Sequence, residues 1–568
     1  MFTLNRHLLD DIILIMTMAV LAGCGLIYEY LLSHYAGRVL GAMESTIYAM
    51  IGLMIVAMGL GAFAARKVTC AFNGFVWLEI IIALLGTTSI LFIGGLIAIT
   101  QIFPHILAET FSIPPDALPK GGLLKQLSFL AFNSPYFFGL LLGFFIGMEI
   151  PLIARIRESI HQKHLVNNLG TIYGADYMGA GIGAAIWVLF LLSIDITQAS
   201  ALTASLNLIA GSIFILRYWK KLVWLKTFIG LHIALGLVIT ITYSYGNQWL
   251  NQMSNLLYLD KVVHTQKTRY QHLTFTQRHM GLNQPNIINF YLNGRLQFSS
   301  SDEFIYHSYL VSPVLTGSAR QDNILIVGGG DGLALRDVLA WSPEHVTLLD
   351  LDSELIDIFQ YPEKHLPSYL AQQISTLTEN SLTDERVTII RHDAFIAIDD
   401  LLKAGHTFDA IIVDLPDPSH PDLNKLYSVN FYARLKQLLA GDGLIAIQST
   451  SPYHAKNAFI SIGKTVEAAE FSSVQQYHDN VPSFGEWGWT IASKMGISPL
   501  SRLQKLDKMP IKHSWLNLAM IKNAFIFPND FFKNRNNIEA NYLGSHTLYQ
   551  LHQADWRDQQ GLNNAHLQ

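Results

Sequence analysis

The stretch ILIVGGGDGLALRDVL at residues 324–339, followed by VTLLDLD at 346–352, decides the fold of the C-terminal half of this chain. An apolar run that breaks into glycines and then reads as a helix predicts the strand, turn and helix that open a nucleotide-binding α/β sheet. Glycines such as Gly328 and Gly330 let the backbone turn sharply and approach a ligand closely. Asp350 falls at the end of the second strand, where a carboxylate can accept hydrogen bonds from a ribose. The pattern therefore predicts nucleoside binding.

An acidic residue inside the glycine turn, Asp331, narrows the choice of ligand. Dinucleotide and phosphate sites avoid a carboxylate that faces an anionic pyrophosphate, because like charges repel strongly in a desolvated cleft. The expected ligand is a nucleoside that carries positive charge. A sulfonium nucleoside with an amine tail fits that description.

Two further apolar runs end in acids. RVTIIRHDAF places Asp393 and Ala394 after one run, and FDAIIVDLPDPSHP places Asp414 and Asp417 after the next. Any one of these aspartates could simply be a helix N-cap. Because open α/β sheets bind ligands at the carboxyl ends of their strands, we expect the set to surround the ligand, with Asp393 and Ala394 at the adenine edge.

Several motifs between about residues 262 and 500 occur together in one order and spacing. They are YQHLTF from 270, LNGRLQFSSSDEFIYH ending at 307, GGGDG from 328, LDLD from 349, HDA from 392, VDLPDPSHP from 413, LYSVNFY from 426 and VPSFGEWGWTIASK from 481. In this set the region resembles the spermidine synthase (aminopropyltransferase) family. The whole chain resembles the membrane-integrated branch of that family.

The resemblance implies an activity and a role for each matching residue. The donor would be decarboxylated S-adenosylmethionine as co-substrate, with no prosthetic group and no metal, and the default acceptor would be putrescine. Asp414 would orient and deprotonate the attacking amine, and 5′-methylthioadenosine would leave. The implied donor-binding residues are Gln271, Gly328, Gly330, Asp331, Asp350, Asp393 and Ala394. The implied acceptor-binding residues are Tyr306, His307, Asp417, Tyr427 and Trp487. Soluble relatives imply a homodimer.

The N-terminal part is more apolar than an ordinary soluble protein. The whole chain is 51% hydrophobic and 14% charged, and seven apolar runs before residue 246 each approach or exceed the roughly 20 residues that cross a bilayer core. The sequence therefore predicts a multi-pass α-helical membrane domain, then a small β-hairpin domain, then a Rossmann-like, class I methyltransferase-like α/β domain. The predicted boundaries are 1–246 for the bundle, 247–315 for linker and hairpins, 316–500 for the catalytic domain and 501–568 for a C-terminal extension.

Loop charges and span number conflict over the side of the membrane. Arg66, Arg155 and Arg217 lie in alternate loops, which the positive-inside rule places in the cytoplasm. Seven spans would then leave the catalytic domain outside. Because its nucleoside donor is made in the cytosol, we favour a cytoplasmic catalytic domain, which requires a long run such as 74–103 to break into two passes, or another segment to re-enter.

Other functions stay open at this point. A methyltransferase would share the sheet and the ribose acid, although Asp331 would repel the carboxylate of S-adenosylmethionine. A polyamine transporter or sensor would use the acids that lie in or beside the apolar runs, which are Glu29, Glu79, Glu149 and Asp176. A net charge of −5 without a basic run in the second half disfavours nucleic acid as a partner. The two cysteines, Cys24 and Cys70, indicate neither a disulfide nor a metal site.

Overall fold

The computed structural model of the protein describes residues 6–40, 43–111, 122–161, 168–256, 258, 260–281 and 284–559. The chain divides into two compact units, Met1–Leu259 and Asp260–Gln568. The boundary falls after the last long apolar helix and before the first strand.

The first unit is a bundle of helices. They are α1 (Arg6–Leu40), α2 (Met43–Ala64), α3 (Ala71–Phe111), α4 (Gly122–Ile146), α5 (Glu149–His161), α6 (Asn168–Leu189), α7 (Ile196–Tyr218) and α8 (Leu225–Asn255). Among the described residues, seven segments are long and apolar enough to cross a membrane, with α4 and α5 together forming one of them. This number agrees with the seven runs in the sequence.

The expectation that the run 74–103 breaks into two passes is wrong, because α3 continues as one helix through this run and beyond it, with Pro104 inside it. The interruption lies instead at Gly147 and Met148, between α4 and α5. A side chain at Gly147 would overlap the backbone of Met58 on α2. The glycine thus permits the close helix approach that small residues allow in membrane bundles.

The two ends of the bundle differ in charge. At one end, Arg157 pairs with Asp11 at 2.8 Å and Arg217 pairs with Asp10 at 2.8 Å. At the other end, Asn247 near the end of α8 donates to Asp195 at 2.9 Å. The chain therefore leaves the bundle at the end opposite to its basic loops.

A polar cluster lies inside the bundle, where α1, α3 and α7 meet. Tyr28 donates to the Asn207 side chain at 3.4 Å, and Asn207 in turn donates to Glu79 Oε2 at 3.0 Å. Glu79 and Glu149 are each only 1% exposed. Among the described residues, Glu79 Oε1 and Glu149 Oε2 have no hydrogen-bond partner.

The second unit begins with a four-stranded antiparallel sheet in the order β1 (Lys261–Lys267), β2 (His272–Arg278), β3 (Ile287–Leu292), β4 (Arg295–Ser299). Asn293 and Gly294 join the last two strands with φ of 50° and 80°, which is the Asn-Gly turn expected for a two-residue hairpin. Phe275 and Phe290 are buried on one face, with ring centroids 4.7 Å apart. This aromatic pair anchors the small sheet in the core of the unit.

The larger sheet has seven strands in the order β10-β11-β9-β8-β5-β6-β7. They are β5 (Asn323–Gly328), β6 (His345–Asp350), β7 (Val387–Arg391), β8 (Phe408–Asp414), β9 (Leu439–Gln448), β10 (Ser473–Val481) and β11 (Gly485–Ser493). Strands β5 to β9 run parallel, and β11 is antiparallel to both of its neighbours. Counted within this sheet, the order is 3-2-1-4-5-7-6, so the predicted Rossmann-like, class I methyltransferase-like domain is confirmed.

Helices cover both faces of this sheet. They are α9 (Glu303–Gly317), α10 (Leu333–Leu339), α11 (Ser353–Gln360), α12 (Pro362–His365), α13 (Ser368–Thr378), α14 (Ala394–Lys403), α15 (Val429–Leu438), α16 (Lys456–Ala468), α17 (Pro499–Gln504), α18 (Leu518–Asn523) and α19 (Thr547–Gln559). Buried side chains of β5, such as Leu325 and Ile326, contribute alternately to the two hydrophobic cores on either side of the sheet. This packing holds the carboxyl ends of the parallel strands at one edge.

Candidate active site

The carboxyl ends of the central strands bring the predicted acids together. Gly328 at the end of β5 lies in register with Asp414 at the end of β8. Asp350 at the end of β6 lies in register with Arg391, two residues before Asp393. The structure therefore gathers at one sheet edge the residues that the sequence placed at separate strand ends.

The glycine turn after β5 is held against the base of Asp414. Gly328 and Gly329 have φ of 85° and 67°, a left-handed backbone that glycine adopts at little cost. A Cβ on Gly328 would overlap the carbonyl oxygen of Asp414. Gly329 N donates to that same oxygen at 3.1 Å. The turn and the strand that carries Asp414 are thus joined through their backbones.

Asp350 is fixed by two backbone amides. Gly330 N donates to its Oδ2 at 3.1 Å, and Asp352 N donates to its Oδ1 at 2.9 Å. Burial raises the pKa of Asp350 to about 6, although these two hydrogen bonds oppose the shift. Gln271 contacts Asp352 and not Asp350 itself: its Nε2 donates to Asp352 Oδ2 at 2.9 Å. Gln271 and Asp350 therefore share a neighbour and do not bond to each other directly.

Asp331 lies in the glycine turn, half-buried, and accepts a hydrogen bond from Leu333 N at 3.0 Å. Burial raises its pKa to about 6; the nearby positive charge of His307 lowers it, and Asp414 raises it. A raised pKa means that burial destabilises the ionised carboxylate of Asp331, which a cation bound beside it would stabilise.

Asp393 caps the N-terminus of α14. Its Oδ1 accepts from Phe395 N at 2.9 Å, and its Oδ2 accepts from Lys425 Nζ at 2.6 Å. Burial acts to raise the pKa of Asp393, but the Lys425 hydrogen bond and the Phe395 amide lower it below its ordinary value. Ala394, the next residue, is buried. The predicted adenine-edge pair thus lies at a helix start, where an amide and a lysine already hold the carboxylate.

A cavity of about 460 Å³ is lined in part by Lys425, the lysine that bonds to Asp393. Its lining includes Leu351 after β6, Lys425, and Gly544 to His546 from the C-terminal region. The cavity therefore lies next to the strand ends and is partly walled by residues beyond the last strand.

Asp414 is bonded to the tyrosine that the sequence placed in the acceptor region. Tyr306 OH donates to Asp414 Oδ1 at 2.7 Å. Burial raises the pKa of Asp414, while the positive charge of His307 and the Tyr306 hydrogen bond lower it, and the net direction is upward. The Tyr306 ring packs 5.9 Å from Phe484 and 5.8 Å from Trp489. Asp414 is thus a half-buried carboxylate beside the aromatic rings that pack on Tyr306.

A buried chain of charges places His307 next to these acids. Arg336 donates to Glu303 at 2.8 Å, and Glu303 Oε2 lies 2.8 Å from His307 Nδ1. Burial lowers the pKa of His307, but Glu303, Asp414 and Asp331 raise it to about 9. His307 therefore carries positive charge at neutral pH, between Glu303 and the site acids.

Asp417 is held by the end of β9. Gln448 Nε2 donates to its Oδ1 at 3.0 Å, and Thr450 Oγ1 donates to its Oδ2 at 3.1 Å. Tyr427 lies below this loop, fully buried, with its hydroxyl donating to Pro416 O at 2.9 Å. Tyr427 therefore supports the loop that carries Asp417, and its ring presents no exposed surface to a channel.

The last predicted site residue, Trp487, lies on β11 opposite Asp479. Its ring centroid is 5.0 Å from that of Phe484. Its indole N–H is buried and has no hydrogen-bond partner among the described residues. A buried donor without a partner is a site at which a ligand or water oxygen gains a hydrogen bond.

Several side chains that contact the site residues were not predicted from the sequence. Gln448 ends the apolar run LIAI at 444–447, so the strand-end criterion that found the aspartates could have found it. Glu303 and Arg336 had no comparable signal, because their pairing joins two helices that the sequence does not relate.

Comparison with known proteins identifies relatives that match the chain over nearly its full length. Residues 303–502 match the family described as Spermine/spermidine synthase domain. Polyamine aminopropyltransferase of Shewanella oneidensis is 55% identical over 554 residues, which cover 98% of this chain and 96% of the relative. Polyamine aminopropyltransferase 1 of Streptomyces coelicolor is 30% identical, with coverage of 96% and 95%.

Among solved structures, the chain is similar to a spermidine synthase crystallised with the transition-state analogue AdoDATO. The TM-score is 0.41 at 23% identity, and the match covers 49% of this chain and 90% of that one. A spermidine synthase from Thermotoga maritima matches with a TM-score of 0.40 at 22% identity, covering 49% and 87%.

Proposed function

The chain belongs to the polyamine aminopropyltransferase family and is a transferase, and from this premise we propose that it moves the aminopropyl group of decarboxylated S-adenosylmethionine to putrescine. The products are spermidine and 5′-methylthioadenosine. The observation that carries the assignment is the half-buried Asp414, bonded to Tyr306 and joined by its backbone to the glycine turn. Methyl transfer, which the sheet alone would also support, is set aside by the family membership.

The proposed reaction is an in-line displacement at the carbon beside the sulfonium. The acceptor nitrogen forms a bond to that carbon, the carbon–sulfur bond breaks, and its electron pair stays on sulfur as the neutral thioether. The amine must attack without its extra proton, although its pKa in solution is roughly 10, as for a lysine. Asp414 takes the proton that the nitrogen loses, and burial, which raises the pKa of this carboxyl, favours that transfer.

For the donor, we assign binding to the glycine turn and its acids. Asp350 would accept hydrogen bonds from the ribose hydroxyls, with Gln271 beside it, and the Asp393 and Ala394 pair would face adenine. Gly328 and Gly330 let the nucleoside approach the backbone. Asp331 would pair with the ammonium of the propylamine arm, in competition with the positive His307 nearby.

For the acceptor, we assign the far ammonium group to Asp417. Tyr306, Phe484 and Trp487 would enclose the methylene chain, since aromatic faces suit both alkyl carbon and ammonium groups. The positive charge of His307 would stabilise the ionised forms of Asp331 and Asp414. Tyr427 would hold the loop that carries Asp417 in place.

We also propose that the seven apolar segments insert in a lipid bilayer, with the catalytic unit on the cytoplasmic side. The presence of the nucleoside donor in the cytosol supports this orientation. The positive-inside rule, applied to the basic loops of the bundle, supports the reverse orientation. In this arrangement residues 1–246 anchor the enzyme, 247–315 supply the linker and β-hairpin domain, 316–500 carry the chemistry, and 501–568 form an extension whose last nine residues, 560–568, lie outside the described residues. A homodimer is proposed by analogy with soluble relatives alone.

Orientation can be tested with a thiol reagent that does not cross membranes. Lys403, whose side chain is 76% exposed, is changed to Cys in a Cys70→Ser background. We expect no labelling of Lys403→Cys in intact cells and full labelling after permeabilisation. The wild-type Cys70, beside the basic loop, provides the matched probe for the other end of the bundle. Labelling of Lys403→Cys in intact cells would contradict the cytoplasmic placement.

Activity is tested on the purified, detergent-solubilised full chain. The protein is incubated with decarboxylated S-adenosylmethionine or S-adenosylmethionine and a panel of amines, and products are identified by mass spectrometry. We expect spermidine and methylthioadenosine from putrescine and the decarboxylated donor only. A methylated amine together with S-adenosylhomocysteine would contradict the proposal.

A further inference from the structure

The C-terminal region after residue 502, outside the family match, reaches into the acceptor side of the cluster. Leu548 at the start of α19 is fully buried in the core that α15 and α16 share. Asn541 Nδ2 donates to the carbonyl oxygens of Asn424 and Tyr427, both at 3.0 Å. The region therefore braces the 3-10 helix Pro421–Tyr427, which carries the tyrosine beneath the Asp417 loop.

Helix α19 is fixed at a second point by Asp555. Its Oδ2 accepts from Asn457 N at 2.8 Å and from Ala458 N at 3.1 Å, and its Oδ1 accepts from the Asn457 side chain at 2.7 Å. These amides belong to the first turn of α16, where a carboxylate is favourable. With Leu548 buried and Asp555 capping α16, the rotation of α19 about its axis is set.

That rotation points His552 at Asp417. The imidazole is 2% exposed, and its Nε2 lies 3.3 Å from Asp417 Oδ2. The same Nε2 is 3.1 Å from the indole Nε1 of Trp556, which can only donate. Trp556 is itself stacked on His454 at 5.3 Å. Nε2 has one lone pair, and when it accepts the indole hydrogen it carries no proton for Asp417 Oδ2. That carboxylate oxygen therefore keeps its negative charge for a cation.

We infer that His552 is a positioning residue for the acceptor: it packs against Asp417 and orients the carboxylate that binds the far ammonium group of the diamine. This inference rests on the proposed function, because it takes Asp417 as the group that binds the acceptor. Gln448 and Thr450 each donate to one oxygen of Asp417, and His552 lies beside Oδ2 from a third direction. The C-terminal extension is thus a part of the acceptor site, contributed from 135 residues away in sequence.

The test separates acceptor binding from chemistry in the full-length protein. His552→Leu keeps a buried side chain of similar size but removes Nε2, and His552→Gln restores a polar atom near the same place. We expect His552→Leu to raise the KM for putrescine about tenfold, because the Asp417 carboxylate loses the neighbour that orients it toward the ammonium group. The kcat and the KM for the donor should stay within about twofold, and His552→Gln should recover most of the loss.

Two further variants guard against a general loss of structure. Ala554→Ser changes an exposed position on the same helix and should match the wild type in every constant. Trp556→Phe keeps the aromatic ring but deletes the indole N–H, and it should raise the KM for putrescine by a smaller factor than His552→Leu. If His552→Leu does not fold, the Trp556→Phe and His552→Gln pair still measures the role of Nε2.

Calorimetry with putrescine and the protein loaded with 5′-methylthioadenosine gives a second measure that does not need turnover. Weaker putrescine binding by His552→Leu, with unchanged methylthioadenosine binding, supports the inference. Wild-type putrescine affinity in His552→Leu, or an equal loss for both ligands that His552→Gln fails to rescue, overturns it. An absence of aminopropyl transfer by the wild-type protein would instead overturn the proposed function, so the two failures are distinguishable.

Discussion

Both units of the chain enclose carboxylates, but Asp350 and Asp414 of the second unit are half-buried, whereas Glu79 and Glu149 of the bundle are each 1% exposed. In the second unit, Asp350 accepts two backbone amides and Asp414 accepts the Tyr306 hydroxyl. In the helical bundle, Glu79 and Glu149 each keep an oxygen without a hydrogen-bond partner among the described residues. A buried acid is costly unless its lone pairs are satisfied. The comparison teaches that partial exposure together with a set of hydrogen-bond partners separates an acid that is positioned to bind or react from one that is merely enclosed.

The largest expected effect is on turnover. Asp414→Asn should lower kcat by about 10² to 10⁴, the range for loss of a positioned general base, because an amide cannot take the proton of the attacking amine. Nucleoside binding, measured by calorimetry on the solubilised protein, should remain nearly intact. Full activity of Asp414→Asn would remove this residue from the chemistry.

The bundle acids provide the matched control. Glu79→Gln and Glu149→Gln replace buried acids by isosteric amides in the other unit, and each should leave aminopropyl transfer within about twofold of wild type. A loss of transfer comparable to that of Asp414→Asn would break the distinction between the two units. A polyamine flux through reconstituted vesicles that disappears in these variants would show that the bundle has a transport role of its own.

The next largest expected effect is on the affinity for the donor nucleoside. Asp350→Ala removes the acceptor of two backbone amides and the proposed ribose contact, so methylthioadenosine should bind about 10- to 100-fold more weakly. Asp357→Ala, at a half-exposed ion pair with Arg391, is the control and should bind normally. Unchanged binding by Asp350→Ala would place the nucleoside elsewhere.

Donor selectivity follows from Asp331. Decarboxylated S-adenosylmethionine should bind about tenfold or more tightly than S-adenosylmethionine, because the carboxylate of the latter would face a negative side chain in a partly buried site. In Asp331→Asn this preference should fall close to unity. Competition calorimetry with the two nucleosides measures both ratios, and equal affinities for the wild type would contradict the assigned role.

The smallest effect is on stability and has a defined sign with pH. Burial raises the pKa of Asp331 from 3.8 to about 6, so the folded state loses stability as pH rises from below 4 through 6. Asp331→Asn should therefore raise the free energy of unfolding by about 1 to 2 kcal/mol at pH 8, with no gain below pH 4.

Asp384→Asn is the control, because its effect on the free energy of unfolding should have the opposite sign. The Arg386 hydrogen bond lowers its pKa to about 2, so Asp384→Asn should destabilise slightly at pH 8, by less than about 1 kcal/mol for this partly exposed pair. Thermal melting of the solubilised protein at both pH values compares the two. Stabilisation by both substitutions, or by neither, would contradict the electrostatic account of Asp331.

The periodic parts of the sequence predicted the architecture well. Apolar runs found the seven long segments, and the strand-end criterion brought Asp350 and Asp414 to one sheet edge, because parallel strands fix where their carboxyl ends lie. The expected break in the run 74–103 was wrong, because α3 continues as one helix from Ala71 to Phe111. That expectation came from the conflict between loop charges and span number, and not from a signal inside the run.

Contacts that join distant segments could not be predicted. Nothing in the local sequence around His552 relates it to Asp417, and the C-terminal region shows no strong periodicity. Tyr427 illustrates a second limit: a motif can locate a residue near a site, but only the packing shows whether its hydroxyl points to a ligand or to Pro416 O. Asp393 illustrates a third limit: its N-cap position was one alternative open from the sequence, but its partner Lys425 lies 32 residues away in the 3-10 helix Pro421–Tyr427.

The hydrogen bond from Gly329 N to the carbonyl of Asp414 has a consequence for accuracy. An in-line displacement needs carbon and nitrogen aligned to a fraction of an ångström. If the glycine turn and Asp414 moved independently, the mean-square thermal displacements of the two would add at the reacting atoms. Joined through one backbone contact, they move together, so the fluctuation that matters is the short distance between them. A substitution at Gly328 or Gly329 should therefore widen the spread of donor–acceptor distances before it changes the mean position of either group.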